Sequence, residues 1–473
     1  MSEERIDQRD RVERVRELLR SPNAHIRPLL GVLHPSEIAQ VLEDTPPEVQ
    51  ERIVRELPRE LLSVAIAEMD DDMQPGDLLS ILHPEITAGL IKELPPDDAA
   101  DLLGLLRDEY REKVLYYLPD EEETILNQLL NYDEESAGGL MNPEVVKVRE
   151  NMTKMEALQR VIGQSEEMEE FYTIYVTDEA NHLIGYLTFR ALFLARSTEL
   201  VKNLMNKEIV SVYVDDDQED VAKLMSQYNL PTLPVIDRNN HLLGRVTFDD
   251  VMDVLEDEST EDILNFAGVS DDENLRGGWA DAVKSRLPWL LVNLGTASLA
   301  AWVISQFDGT IEKLVLLTSL MPIIAGVSGN GATQTLAVTI RRISTNGVPP
   351  RQAARVILKE LSVGAIQGLM LGAVVSLAVA FLSSNPNPQF VAMMGVVVFC
   401  AMFGNLMLAG FVGSMVPLTL ERFKVDPAVA SSILITASTD IIGYLLLFGL
   451  ATQVLLPLIS TAAGIGVHFL SPL

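Results

Sequence analysis

Three stretches of this chain carry residue types that could do chemistry. In the apolar run 428–456, Asp440 stands near the middle. In residues 321–335, MPIIAGVSGNGATQT, a proline, three glycines, Asn330 and Gln334 interrupt Leu, Val, Ile and Ala. An acid in hydrocarbon is costly and by default marks an ion path, and polar, flexible backbone persists at membrane depth only beside protein or water. The third stretch is DDVMDVLEDESTED, where eight carboxylates fall between Asp249 and Asp262. Asp250, Asp253, Asp257 and Glu261 recur at three- and four-residue spacing and so line one helix face, with no Lys or Arg among them. Like charges so spaced repel, which makes the run either a solvated face or a cation-responsive switch.

The apolar stretches supply oxygen. Asp440 offers an anionic ligand, and Asn330, Gln334, Thr335, Ser438 and Thr439 offer neutral oxygens. Hard oxygen donors suit Mg²⁺, Ca²⁺ or Mn²⁺ rather than Zn²⁺ or Cu⁺. Since Mg²⁺ keeps several waters, one acid per subunit with a ring of carbonyls is adequate, and glycines 326, 329 and 331 let carbonyls approach an ion. Asn330 and Gln334 could instead hydrogen-bond helix to helix. Glu360 is placed either at a pore mouth or snorkelling beside Lys359. Gly368 and Gly372 form a GxxxG, read as close helix packing or a dimer contact. Cys400 is the only cysteine, so one chain can build neither a disulfide nor a thiolate cage; it is expected to pack as a small apolar residue.

Charge divides the elements that must position these groups. Residues 1–272 hold 60 acids and 25 bases, whereas residues 273–473 hold 8 and 11. The acidic first part argues against nucleic acid and for cationic partners. Its charged start lacks a signal-peptide core, so a cytoplasmic N-terminus is expected. Residues 1–135 read as short amphipathic helices restarted at Pro35, Pro47, Pro58, Pro84 and Pro96, a period that suggests a superhelical stack. Residues 136–262 hold an internal repeat. LMNPEVVKV and TIYVTDEANHLIGYLTF return as LMNKEIVSV and TLPVIDRNNHLLGRVTFDDV. Each copy reads as strand, helix, strand, turn, strand, helix, and the pair resembles tandem cystathionine-β-synthase (CBS) domains, which are regulatory sensors. Five apolar spans follow, at about 286–307, 315–340, 356–382, 390–419 and 428–456, each near the roughly 20 residues a bilayer needs. Arg341, Arg342, Arg351, Arg355, Arg422 and Lys424 fall in alternate connections, which puts those loops and the N-terminal part inside and the C-terminus outside.

An acidic helical superhelix, tandem CBS domains, an acidic connecting helix and spans bearing MPxxxGxxGN and DPAVASSILITASTDIIGY resemble, in that order, the MgtE family of magnesium channels. The resemblance implies a homodimer with its pore between subunits and Asp440 as the acid that binds the permeating Mg²⁺, with Asn330 lining the pore. It also implies closure by intracellular Mg²⁺ held on Asp250, Asp253, Glu258, Glu261 and Asp262 of the connecting helix. Asp426 in the inner loop joins this set, as do Asp97, Asp98 and Asp101 in PPDDAAD, the carbonyl of Gly139 and the carboxylate of Glu219. When Mg²⁺ falls, repulsion loosens the assembly and the pore opens. Two departures stand out. The family's GNxG becomes Gly329-Asn330-Gly331-Ala332. Some members bind ATP at the CBS pair through an Asp three residues after Thr or Ser; the second copy has Thr247 and Asp250, whereas the first has Thr188 followed by Arg190 and Ala191. ATP binding is therefore not predicted.

The expected organisation is a multidomain membrane protein. An all-α superhelix spans 1–135, α/β CBS domains span 136–200 and 201–256, an acidic connecting helix spans 257–285, and a five-helix pore domain embedded in membrane lipid spans 286–473. The expected function is Mg²⁺ uptake through a channel of the cytoplasmic membrane. Its rivals are an ion-coupled secondary transporter of divalent cations and a membrane-anchored nucleotide sensor. No nucleophile-base-orienter set or phosphate-cradling loop marks an enzyme.

Overall fold

Proline sets the helix starts of the N-terminal part, because its fixed φ suits the first helical position and its missing N–H is not needed there. Helices Pro35–Glu43, Pro47–Glu56, Pro75–Ser80, Pro84–Ile91 and Pro96–Gly104 all begin this way. The computed structural model describes residues 12–19, 26–70, 73, 75–165, 171–270, 278–346, 349–383, 387–427 and 432–464. The chain divides into two units, Met1–Glu258 and Ser259–Leu473.

In the first unit most of the short helices pack on the one two places along. Pro35–Glu43 meets Arg59–Ala67, which meets Pro84–Ile91, which meets Asp108–Leu115; Pro75–Ser80 meets Pro96–Gly104, which meets Asp120–Leu129. This is the expected stack, and its core of Leu19, Ile38, Leu42, Ile66, Leu79 and Leu103 is continuous with Val221, Leu233 and Val246 of the second repeat. The first repeat keeps its own core around Val148, Ile174, Val176 and Leu187.

Each repeat forms a three-stranded sheet. In the first, β1 (Lys147–Arg149) runs parallel to β2 (Thr173–Thr177), which pairs antiparallel with β3 (Leu183–Thr188). In the second, β4 (Val212–Tyr213), β5 (Thr232–Ile236) and β6 (Leu242–Thr247) repeat that order and the register irregularity after Val176 at Val235. The turns between the last two strands require Asn181 and Asn240 at φ 68, a left-handed conformation that asparagine tolerates. These two residues bind across the repeats: Asn181 Nδ2 donates to Leu242 O at 3.1 Å and Asn240 Nδ2 to Leu183 O at 2.8 Å. The opening segments are exchanged too, Asn142 pairing with Arg245 and Asn206 with Tyr186. The acidic helix Phe248–Ala267 follows β6.

Among the described residues of the second unit, four helices are long and apolar enough to cross a membrane by length and composition: Trp279–Ser305, Arg351–Phe381, Pro388–Arg422 and Ile433–Ile459. The fifth expected span corresponds to Leu316–Asn346, 31 residues long. It is outside that set because the residues that single it out, Asn330, Gln334 and its threonines, lower its hydropathy. The helix with most of its surface covered is Pro388–Arg422, which packs on Pro350–Leu382, Leu316–Asn346 and Ser432–Gly464. Its seam with Pro350–Leu382 is built on glycine. A Cβ at Gly364 would lie 2.3 Å from Leu406 O, one at Gly368 2.9 Å from Phe403 Cα, and one at Gly410 2.4 Å from Glu360 O. The GxxxG thus serves close packing within the chain. Cys400 departs from expectation: it is exposed rather than packed, because its helix is apolar all round and its sequence has no periodic face to aim a side chain. His468, the one histidine of the sequence after residue 286, lies outside the described residues.

The seam gives a stability test. Gly364→Val should lower the melting midpoint of the purified protein by the equivalent of about 1–3 kcal/mol of overpacking. Gly163→Ala, in helix Lys154–Ser165 with nothing within 4 Å of the new Cβ, should leave it unchanged or raise it by up to about 1 kcal/mol. Thermal unfolding of both variants checks the contrast.

Candidate functional site

Two carboxylate clusters form in the first unit. The first joins the start of Pro96–Gly104 to the start of the acidic helix. Asp97 is 7% exposed and its Oδ1 accepts a hydrogen bond from Asn142 Nδ2 at 3.0 Å. Burial, then the charge of Asp250, pushes the Asp97 carboxyl up to about 7 against that bond. Burial, then the charges of Asp97, Asp250, Asp101 and Asp249, raises Asp98 to about 8. Asp250 closes the N-terminus of its helix, Oδ2 accepting from Thr247 N at 3.0 Å and Thr247 Oγ1 at 2.6 Å, yet burial still raises it. Asp253 is raised by burial and by Asp250, Glu68, Glu256 and Asp249. Three of the expected sensor groups thus come from a helix over a hundred residues away from the other two.

The second cluster gathers on Glu258. Gln218 Nε2 donates to Glu258 Oε1 at 2.7 Å, while burial and the charges of Glu219, Asp217 and Glu135 raise the carboxyl. Glu219 also pairs with Lys223 Nζ at 2.7 Å. Gly139 lies over the same segment: its N–H donates to Ser136 Oγ at 3.3 Å, and a Cβ there would stand 2.5 Å from the carbonyls of Asp133 and Glu134. Further along the acidic helix, Glu261 Oε1 accepts from Asn265 Nδ2 at 3.2 Å, and Asp262 is half-buried. Asp426 is exposed in the second unit. Among the described residues, no three His, Cys, Asp or Glu side chains converge to hold a bare metal ion.

In the second unit Asp440 is half-buried and opens into a recess of about 220 Å³ lined by Asn293, Thr296, Ala300, Thr436 and Ala437 among others. Gly329 lets Leu316–Asn346 approach this wall, since a Cβ there would stand 3.0 Å from Thr436 Cγ2. Asn330 and Gln334 are exposed, one turn apart on the same helix. Glu360 is 6% exposed and its Oε1 pairs with Lys359 Nζ at 2.9 Å. Sequence reasoning passed over Asn142, Asn293, Thr296 and Asn405. Asn293 and Asn405 carried a signal, each an amide within an apolar run.

The first cluster makes stability pH-dependent. Asp97 and Asp98 have folded-state values above the usual carboxylate range, so the folded protein holds more protons than the unfolded chain between about pH 4 and about pH 8, and stability falls as pH rises through that window. In chelator, the melting midpoint should drop from about pH 6 to about pH 8.5. Asp98→Asn should recover about 3 °C at the upper pH, the response of a domain of this size to roughly 1 kcal/mol. Calorimetry of both proteins measures the difference.

The arrangement has known counterparts. Residues 33–135 match the MgtE intracellular N domain, 137–197 and 201–257 the CBS domain, and 321–450 the MgtE divalent cation transporter. The chain is 32% identical over 426 residues to the magnesium transporter MgtE of Bacillus subtilis, covering 90% of this chain and 93% of that one. It is 33% identical over 436 residues to that of Thermus thermophilus, covering 91% and 95%. A crystal structure of the soluble part of a magnesium transporter is 31% identical and superposes with a TM-score of 0.48, covering 53% of this chain and 99% of that one. With most of both relatives spanned and all three family models matched in order, the chain belongs to the MgtE family of divalent cation transporters.

Proposed function

We propose that this protein is a homodimeric Mg²⁺ channel of the cytoplasmic membrane that admits Mg²⁺ and is closed by Mg²⁺ on the side of its acidic unit. The observation that carries the reading is Asp440, the one acid of Ser432–Gly464, opening into a polar recess among apolar helices. The relatives' magnesium transport supports the choice of ion. One carboxylate with hydroxyl and amide neighbours attracts a divalent cation without stripping its water, so the ion can also leave. We assign Asn330 and Gln334 of Leu316–Asn346 to the same path. Their exposure on a single chain supports a second copy or a water-filled path beside them, since hydrocarbon satisfies no amide. Arginines in alternate loops support an inward-facing N-terminal unit.

Gating follows from the clusters. Asp97, Asp98, Asp250 and Asp253 are like charges held partly away from water, and a hydrated Mg²⁺ neutralises them and fastens the helical stack to the CBS pair. Glu258 with Glu219, and separately Glu261, Asp262 and Asp426, are further carboxylates assigned to Mg²⁺ sensing. The functional division is 1–135, 136–200, 201–256, 257–285 and 286–473. Losing Mg²⁺ restores repulsion and frees the pore.

Single-channel recording from the purified chain in planar bilayers tests both halves. Openings should vanish as Mg²⁺ on the soluble-unit side rises from micromolar to millimolar. Asp440→Asn should cut the Mg²⁺ current at least about tenfold, the size of one lost charge-assisted ligand. Replacing Asp250 and Asp253 by Asn and Glu258 and Glu261 by Gln together should raise the closing concentration by about tenfold or more; an unchanged value would make the acidic helix a solvated face. Mg²⁺ uptake with an accompanying proton flux and no unitary current would move the assignment to a coupled transporter.

A further inference from the structure

The recess at Asp440 has two walls. One is Ser432–Gly464, with Thr436 and Asp440; the other is Trp279–Ser305, with Asn293 and Thr296. The two helices pack on each other. Asn293 is the one amide of its helix and stands near the middle of it, among Leu290, Leu291 and Leu294, which are all exposed. An amide at that depth is costly beside hydrocarbon and is satisfied beside water or another polar group. Thr296 is tied to it, since its Oγ1 donates to the Asn293 carbonyl at 2.9 Å. The hydroxyl proton is thereby spent within the helix, and the oxygen keeps its lone pairs as an acceptor. Waters on a cation are donors, and this wall offers them acceptors. The six waters of an octahedral shell, at roughly 30 Å³ each, fill about 180 Å³. The recess holds about 220 Å³, so a hydrated cation that enters it lies against both walls.

We propose that Asn293 is the neutral half of the cation site: its Oδ1, with Thr296 Oγ1 beside it, accepts hydrogen bonds from the aqua ligands of a divalent cation whose charge is met by Asp440. The inference rests on the reading of Asp440 as the ion-binding acid. The two walls divide the work. A second carboxylate facing Asp440 would hold the ion more firmly and slow its release, whereas an amide bonds the shell without adding charge. Asn293 is accordingly a positioning residue that acts on the shell rather than on the metal. An amide in an apolar span has one other use, a hydrogen bond to a helix of a second copy. Its place in one recess with Asp440 favours the ion, and experiment separates the two uses.

The test uses the full chain in proteoliposomes, with initial Mg²⁺ influx measured against Mg²⁺ concentration, alone and with hexaamminecobalt(III), whose ammine ligands do not exchange and donate hydrogen bonds as aqua ligands do. Asn293→Leu removes the amide at similar volume. The expected result is a half-saturating Mg²⁺ concentration raised about tenfold and weaker block by hexaamminecobalt(III), with the oligomeric state of the unaltered protein. Asn293→Ser, which returns a neutral acceptor, should recover part of the loss. Unchanged half-saturation would overturn the proposal, as would a hexaamminecobalt(III) block that is absent from the unaltered protein or equal in both. Loss of the oligomer in Asn293→Leu would overturn it too, by making the amide a tie between helices. Should Asn293→Leu fail to fold, Asn293→Ala carries the same readouts, and failure of both would make the amide structural and overturn the proposal. Asp440→Asn, alone and combined with Asn293→Leu, separates the two levels. Unaltered half-saturation in Asp440→Asn would strike down the parent reading and this one with it, whereas a defect there with none in Asn293→Leu would strike down only the role of Asn293. With both defective, the double variant should lose less than the product of the single losses, because the two residues act on one ion; losses that simply multiply would overturn the shared site.

Discussion

Like charge held out of water is the constraint around which the first unit is arranged. Asp97 and Asp98 open one helix, Asp250 and Asp253 open another, and packing brings the two helix starts together instead of keeping them apart. A fold selected for stability alone would have placed a Lys or an amide at one of these positions. The hydrogen bond from Asn142 to Asp97 and the bonds from Thr247 to Asp250 hold the carboxylates in place without neutralising them. What stabilises the contact is the continuous apolar core beneath it, shared by the helical stack and the second CBS copy. The electrostatic term opposes that core and can be reversed by a cation, so the balance between them is adjustable from solution.

The membrane unit solves a different problem. Apolar helices in lipid gain little from burying more apolar surface, so close packing needs small residues. Gly364, Gly368, Gly372 and Gly410 supply it along the seam between Pro350–Leu382 and Pro388–Arg422. With that pair closely packed, Ser432–Gly464 and Leu316–Asn346 are left to carry the polar groups, and Gly329 and Gly443 bring backbone close to Thr436 and Asn405. Glycine therefore has two duties here, rigid packing in one pair of helices and polar access in the other.

Features written locally were legible in the sequence. Proline marked the helix starts, the repeated LMN and NHL motifs marked the two sheets, and three- and four-residue spacing marked the acidic face. Asp440 was legible because a charge in an apolar run has few bland explanations. Contacts between distant segments were not. Nothing near Asp97 in the chain announces Asn142, 45 residues on. Cys400 and Asn405 share a helix that is apolar all round, so periodicity carried no phase, and one side chain turned out exposed and the other buried. In Leu316–Asn346 the polar residues that draw attention also weaken the hydropathy by which a span is recognised.

The reciprocal bonds of Asn181 and Asn240, reaching carbonyls 61 and 57 residues away, and the exchanged pairings of Asn142 and Asn206 tie the two CBS copies into one folding unit. Neither copy keeps all its backbone partners if the other melts, so their unfolding is expected to be cooperative rather than sequential, and their assembly waits on contacts of long sequence separation. Duplication has here produced two halves that no longer have separate equilibria, and an event at either half is registered by both.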